Sequence, residues 1–160
     1  MGIRRLNHAV LYVRDVDRSV RFYRDVLGFR VMHRRPTAAF LRAADSDNDH
    51  DLGLFQVRGA APANGSPSVG LHHLAWSVNT LTELADFAAK LTEAGALVGS
   101  SDHVVSKSLY GKDPDGIEFE VSWFVPRDRV TAAMEEDLAI RPLDIGAEIE
   151  QWGGALVGAL

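Results

Sequence analysis

Apolar positions repeat along this chain in two similar stretches. Residues 6–13, Leu-Asn-His-Ala-Val-Leu-Tyr-Val, read as a strand, and residues 71–78, Leu-His-His-Leu-Ala-Trp-Ser-Val, read as the same strand again. Each is followed by apolar residues at helical spacing: Val16, Val20, Tyr23 and Leu27 in the first case, Leu81, Leu84, Ala88 and Leu91 in the second. Gly28 and Gly95 follow these helices as left-handed stops. Extended segments are predicted around 29–35, 38–43 and 51–58, and again around 97–99, 107–112 and 117–124. Asp113-Pro114-Asp115-Gly116 is a strong turn signal before the last of them.

The chain therefore reads as two β-α-β-β-β modules, over about 4–58 and 70–124, joined by a Gly-, Ala-, Pro- and Ser-rich stretch at 59–70. Neither module covers both its helix and its sheet alone. The expected fold class is α+β: the two modules pair within a single domain, 1–160, as a curved, cup-shaped mixed sheet with helices outside. Residues 125–160 form a tail with one or two helical segments, one of them ending at Gly153-Gly154.

Strand alternation sorts the residues by face. Ile117, Phe119, Val121 and Trp123 lie opposite Glu118, Glu120 and Ser122. Ala9, Leu11 and Val13 oppose Leu6, His8, Val10 and Tyr12, while Leu74, Trp76 and Val78 oppose His73, Ala75 and Ser77. Packing the apolar faces under the helices leaves His8, His73 and Glu120 lining the hollow. Two repeat-related imidazoles and a carboxylate on rigid strands, with open positions beside them, suit Fe(II), with Mn(II), Ni(II) and Zn(II) as competitors. His33, on a strand among arginines, and His72, which alternates away from the hollow, are read as ordinary residues.

Composition narrows the classes. The chain has 160 residues, 46% apolar and 24% charged, which suits one domain with a sizeable core and excludes a disordered or fibrous chain. Cysteine is absent, so neither disulfides nor thiolate chemistry arises. The net charge of −5 argues against a nucleic-acid partner. The ten arginines within residues 1–42 are read as a solvated helix face. No apolar run is long enough for a membrane span and no signal-peptide core follows Met1, so a cytoplasmic protein is expected. The apolar tail residues Trp152, Leu156, Val157 and Leu160 predict a homo-oligomer built from dimers.

Leu-Asn-His at 6–8, Leu-His-His at 71–73 and the Asp-Pro-Asp-Gly turn before Glu120 resemble the vicinal-oxygen-chelate superfamily, which includes glyoxalase I, bleomycin-resistance proteins and type I extradiol dioxygenases. The resemblance covers about residues 4–124. Its finer features favour the extradiol branch: His103, then Leu109-Tyr110, then the turn, then Glu120, although Ser101 departs from that pattern. His50-Asp51-Leu52-Gly53-Leu54 resembles the segment carrying the acid–base histidine of those enzymes. Glyoxalase I usually adds a Glu ligand on the strand at 51–58, and this chain has no Glu before residue 83.

The resemblance implies a dioxygenase that cleaves an aromatic diol with O2, with Fe(II) held by His8, His73 and Glu120. It makes His50 the acid–base group, and it aims His103 and Tyr110 at substrate oxygens. Extradiol enzymes usually carry four such modules and this chain has two, so pocket walls must come from the tail or a neighbouring subunit. The competing readings are a glyoxalase-like metal-dependent isomerase or lyase, and a metal-free binding protein of the bleomycin-resistance type.

Overall fold

A computed structural model describes residues 5–57 and 70–159, so the expected joint at 59–70 and Leu160 lie almost wholly outside the described residues. The chain divides into two compact units, Met1–Pro67 and Ser68–Leu160. The first contains β1 (Ala9–Val13), α1 (Val16–Asp25), β2 (Arg30–Arg35), β3 (Ala38–Arg42) and β4 (Leu52–Gln56). In the second, β5 (Leu74–Ser77), α2 (Leu81–Glu93), β6 (Leu97–Asp102), β7 (Ser106–Lys112) and β8 (Glu118–Phe124) repeat that order. Each unit forms a four-stranded mixed sheet, ordered β1-β4-β3-β2 and β5-β8-β7-β6. The first and last strands of each module are parallel neighbours, Ala9 opposite Leu52 and Ala75 opposite Glu120. A parallel pair needs a long crossover, and the helix with its following hairpin supplies it.

The helices form where the sequence predicts them, and local chemistry sets their ends. The Asp15 side chain accepts from the Arg18 amide at the start of α1, and Thr80 with Glu83 makes a reciprocal capping box at α2. Gly28 and Gly95 take positive φ, 74° and 63°, after the two helices. Val16, Val20 and Tyr23 of α1 are buried, as are Leu81, Leu84 and Leu91 of α2. They cover the apolar strand faces: Leu11 and Val13 in the first unit, Phe119, Val121 and Trp123 in the second. The opposite face of β1 is open, with Tyr12 74% exposed.

β6 runs to Asp102, three residues beyond the expected 97–99. Its polar end, Ser100, Ser101 and Asp102, pairs with Leu109, Ser108 and Lys107 of β7. Hydrogen bonding to a neighbouring strand holds a segment that apolar alternation alone does not mark.

The tail packs on the second unit. After a 3₁₀ turn at Arg127–Arg129 come α3 (Ala132–Glu136) and α4 (Ile145–Trp152). Trp152 packs its ring 6.3 Å from that of the fully buried Trp123, whose Nε1 donates to the Leu156 carbonyl. Trp152, one of the apolar tail residues expected at a subunit interface, thus packs within the chain, while Val157 remains 64% exposed. Lys107, 4% exposed, lies between Asp102 at 2.5 Å and Glu148 of α4 at 3.2 Å. Among the described residues no helix is long and apolar enough to cross a membrane.

Candidate metal and substrate site

In the first unit, the ends of two parallel strands bring two histidines together. The Ala9 amide donates to the Asp51 carbonyl, so the residues just before β1 and β4 are neighbours. The Asp51 carboxylate fixes the loop ahead of β4, accepting from the Ala43 amide, Ser46 Oγ and Asn48 Nδ2. His8 and His50 consequently lie with ring centroids 4.6 Å apart. His8 Nδ1 is 2.8 Å from Asn7 Oδ1, and His50 Nδ1 is 2.8 Å from Asp49 Oδ2. The bond to His50 holds the Asp49 carboxyl below the usual carboxylate range. Phe40 meets His50 edge-on.

In the second unit, the Asp-Pro-Asp-Gly turn works through its first residue. Asp113, buried, accepts on Oδ1 from the amides of Asp115 and Ile117, while Gly116 adopts φ 84°. This fixes the start of β8 and pairs Glu120 with Tyr110 of β7 and Ala75 of β5. His73, one pleat before Ala75, meets Glu120, Nε2 to Oε2 at 3.0 Å. The other oxygen of Glu120 accepts from Ser122 Oγ at 2.7 Å, and Ser122 Oγ lies 3.1 Å from Ser108 Oγ. Tyr110 Oη hydrogen-bonds His103 Nε2 at 2.7 Å, and its ring lies 6.2 Å from that of His73. Burial, with the charge of Glu120 next, raises the Tyr110 phenol above its ordinary value, against the opposing effect of Ser108.

The structure thus gathers His73, Glu120, Tyr110 and His103 on one face of the second sheet, and His8 with His50 at one end of the first. Among the described residues, no three His, Asp or Glu side chains form a metal-binding cluster. As a donor set, imidazole nitrogen and carboxylate oxygen suit a divalent first-row ion. His33 is exposed on β2.

Three contributors were not singled out from sequence. Ser122 orients Glu120 and Ser108 lies beside Ser122; the available signal is that Ser122 shares the alternation of Glu120. The third is His72, whose Nδ1 lies 2.8 Å from His73 Nδ1. One of these two ring nitrogens donates to the other, so His72 helps fix the orientation of the His73 ring.

Residues 5–121 match the sequence profile of the Glyoxalase/Bleomycin resistance protein/Dioxygenase superfamily, and the chain belongs to that superfamily. It is 31% identical over 153 residues to a catechol-2,3-dioxygenase of Bacillus subtilis, an alignment covering 92% of this chain and 52% of that protein. The chain thus spans about half the length of that relative. It is also 30% identical over 124 residues to a lactoylglutathione lyase of Haemophilus influenzae, covering 71% of this chain and 87% of the lyase. Among solved structures, a glyoxylase/bleomycin resistance protein/dioxygenase domain from Frankia sp. EAN1pec aligns with TM-score 0.63 and 26% identity, over 76% of this chain and 92% of that one.

Proposed function

We propose that this chain is a metal-dependent extradiol-type dioxygenase, with O2 and a small aromatic diol as substrates. The observation that carries the reading is the juxtaposition of two pairs on one sheet face. His73–Glu120 is suited to holding a metal, and Tyr110–His103 is suited to hydrogen-bonding a ligand oxygen. The relationship to a catechol-2,3-dioxygenase supports it. The lyase reading is weaker on a specific ground: β4, Leu-Gly-Leu-Phe-Gln, carries no carboxylate, and Gln56 Oε1 instead accepts from the Val16 amide at the start of α1.

His8, His73 and Glu120 would hold the metal, Fe(II) in first place. When bound, such an ion supplies Lewis acidity that eases deprotonation of a chelated hydroxyl near neutral pH. The rest is the work of the side chains. Ser122 holds one oxygen of Glu120 and so orients the other toward His73. Tyr110, with its phenol held protonated, is a hydrogen-bond donor at the substrate, and His103 Nε2 fixes its direction. His50, steadied by Asp49, carries a proton to or from the reacting oxygen.

Anaerobic reconstitution with Fe(II), followed by metal analysis, tests the ligand set. The expected result is one iron per wild-type chain, lost in His73→Ala and Glu120→Ala. A wild-type protein that takes up no divalent metal would overturn the reading.

A further inference from the structure

The second unit holds a cavity of about 800 Å³, and His103 is the one residue of its wall given a role above. Ser77 of β5 and Phe124 of β8 also line it, and Phe124 shares its strand alternation with Glu120. Glu120 and Phe124 are four residues apart along β8, roughly 13 Å at the usual strand rise. The cavity therefore lies on the same sheet face as the His73–Glu120 pair, farther along the strands, with His103 at the junction. This is an inference within the dioxygenase reading and rests on it.

The opposite wall comes from the tail: Val130, Met134, Leu138 and Ile140. Leu138 is 88% exposed and Ile140 68% exposed, which leaves their aliphatic surface available to a ligand. The tail is held there by a two-way backbone bridge between Asp102 and Arg141, at 2.9 Å each way. Charge in the wall is balanced. Arg127 and Glu135 are of opposite sign, and Asp137 is paired with Arg141 at 2.6 Å. No surplus cation is left to prefer an anionic group.

We infer that this cavity binds a neutral apolar substituent on the aromatic diol, and that Leu138 and Ile140 of the tail determine that specificity. The substrate class is then an alkyl- or aryl-substituted diol, in preference to the bare diol or a carboxylated one. His103 marks the boundary between the polar end of the ligand and its apolar end.

Anaerobic calorimetry on the full chain, with and without Fe(II), tests this using catechol, 4-tert-butylcatechol, 3,4-dihydroxybenzoate and 4-tert-butylphenol. The substituted diol should bind at least about tenfold more tightly than catechol, as expected for burial of a branched four-carbon group. Leu138→Asp should remove that advantage and leave catechol binding unchanged, and Ile140→Gln should reduce it. Both sites are exposed, and circular dichroism checks that the variants fold. Equal affinity for the two diols, or tighter binding of 3,4-dihydroxybenzoate, would overturn the inference, as would an advantage that survives Leu138→Asp.

The phenol separates this inference from the reading beneath it. Metal-independent binding of 4-tert-butylphenol that is lost in Leu138→Asp supports the pocket even if Fe(II) improves neither diol, a result that would reject the metal reading alone.

Discussion

Glu120 is held from two sides, by His73 at 3.0 Å on one carboxylate oxygen and by Ser122 at 2.7 Å on the other. The arrangement follows from strand pairing. Ala75 lies opposite Glu120, so residue 73 reaches the carboxylate from just ahead of β5, while Ser122 lies one pleat farther along β8. Removing the hydroxyl in Ser122→Ala should loosen Glu120 without altering the proposed donors. Metal affinity is expected to fall roughly 10- to 100-fold, as for other outer partners of metal ligands. Anaerobic titration with Mn(II) measures it, and unchanged affinity would remove Ser122 from the site.

His50 and His73 should behave differently when replaced. His50→Gln leaves the proposed ligands in place and should retain metal, with turnover reduced about 10²- to 10⁴-fold, the usual contribution of a positioned proton carrier. His73→Ala should lose the metal itself. Because the rings of His8 and His50 are only 4.6 Å apart, metal analysis of the His50 variant is decisive. Iron lost from it and kept by His73→Ala would exchange the two roles.

The Tyr110 phenol should titrate above the ordinary value of a tyrosine. Ultraviolet difference titration of wild type against Tyr110→Phe isolates it from Tyr12 and Tyr23. Glu120→Gln should bring the value down, because the carboxylate charge is one cause of the rise, second to burial. A raised folded-state value contributes stability that is fully present below the unfolded value and is lost as pH rises through the folded one. Its effect therefore falls on the alkaline side, and a downward shift in the wild type would contradict the assignment.

Lys107 should prove important to the second unit. It is buried between Asp102 and Glu148, and Trp152 Nε1 also donates to Glu148. Lys107→Met leaves two carboxylates facing one another without their cation, at an expected cost of about 3 kcal/mol. Urea denaturation measures this, and a variant as stable as the wild type would show that the ion cluster does not secure α4.

Residues that obey local rules were legible before any coordinates. Gly28 and Gly95 follow the two helices as anticipated, and the Asp113 turn leads into a strand whose alternation places Glu120 opposite Phe119. Lys107 was not legible, since a lysine in a strand ordinarily reads as solvated; its burial depends on Glu148 arriving from the tail. Alternation predicts His72 pointing away from the hollow, yet its ring nitrogen lies beside that of His73, because the residues before β5 are not yet in regular strand. The apolar tail gave no partner by itself. Trp152 packs its ring beside Trp123, whereas Leu138 and Ile140 remain exposed beside the cavity, and only three-dimensional packing distinguishes the two fates.

Oxygen uptake tests the central claim most directly. Fe(II)-reconstituted wild-type protein, given 4-tert-butylcatechol in an oxygen electrode, should consume one O2 per diol with loss of the catechol absorbance. Glu120→Ala, treated identically, should consume none above the uncatalysed rate. Iron-loaded wild type that consumes no O2 with any substituted or unsubstituted diol would contradict the dioxygenase account.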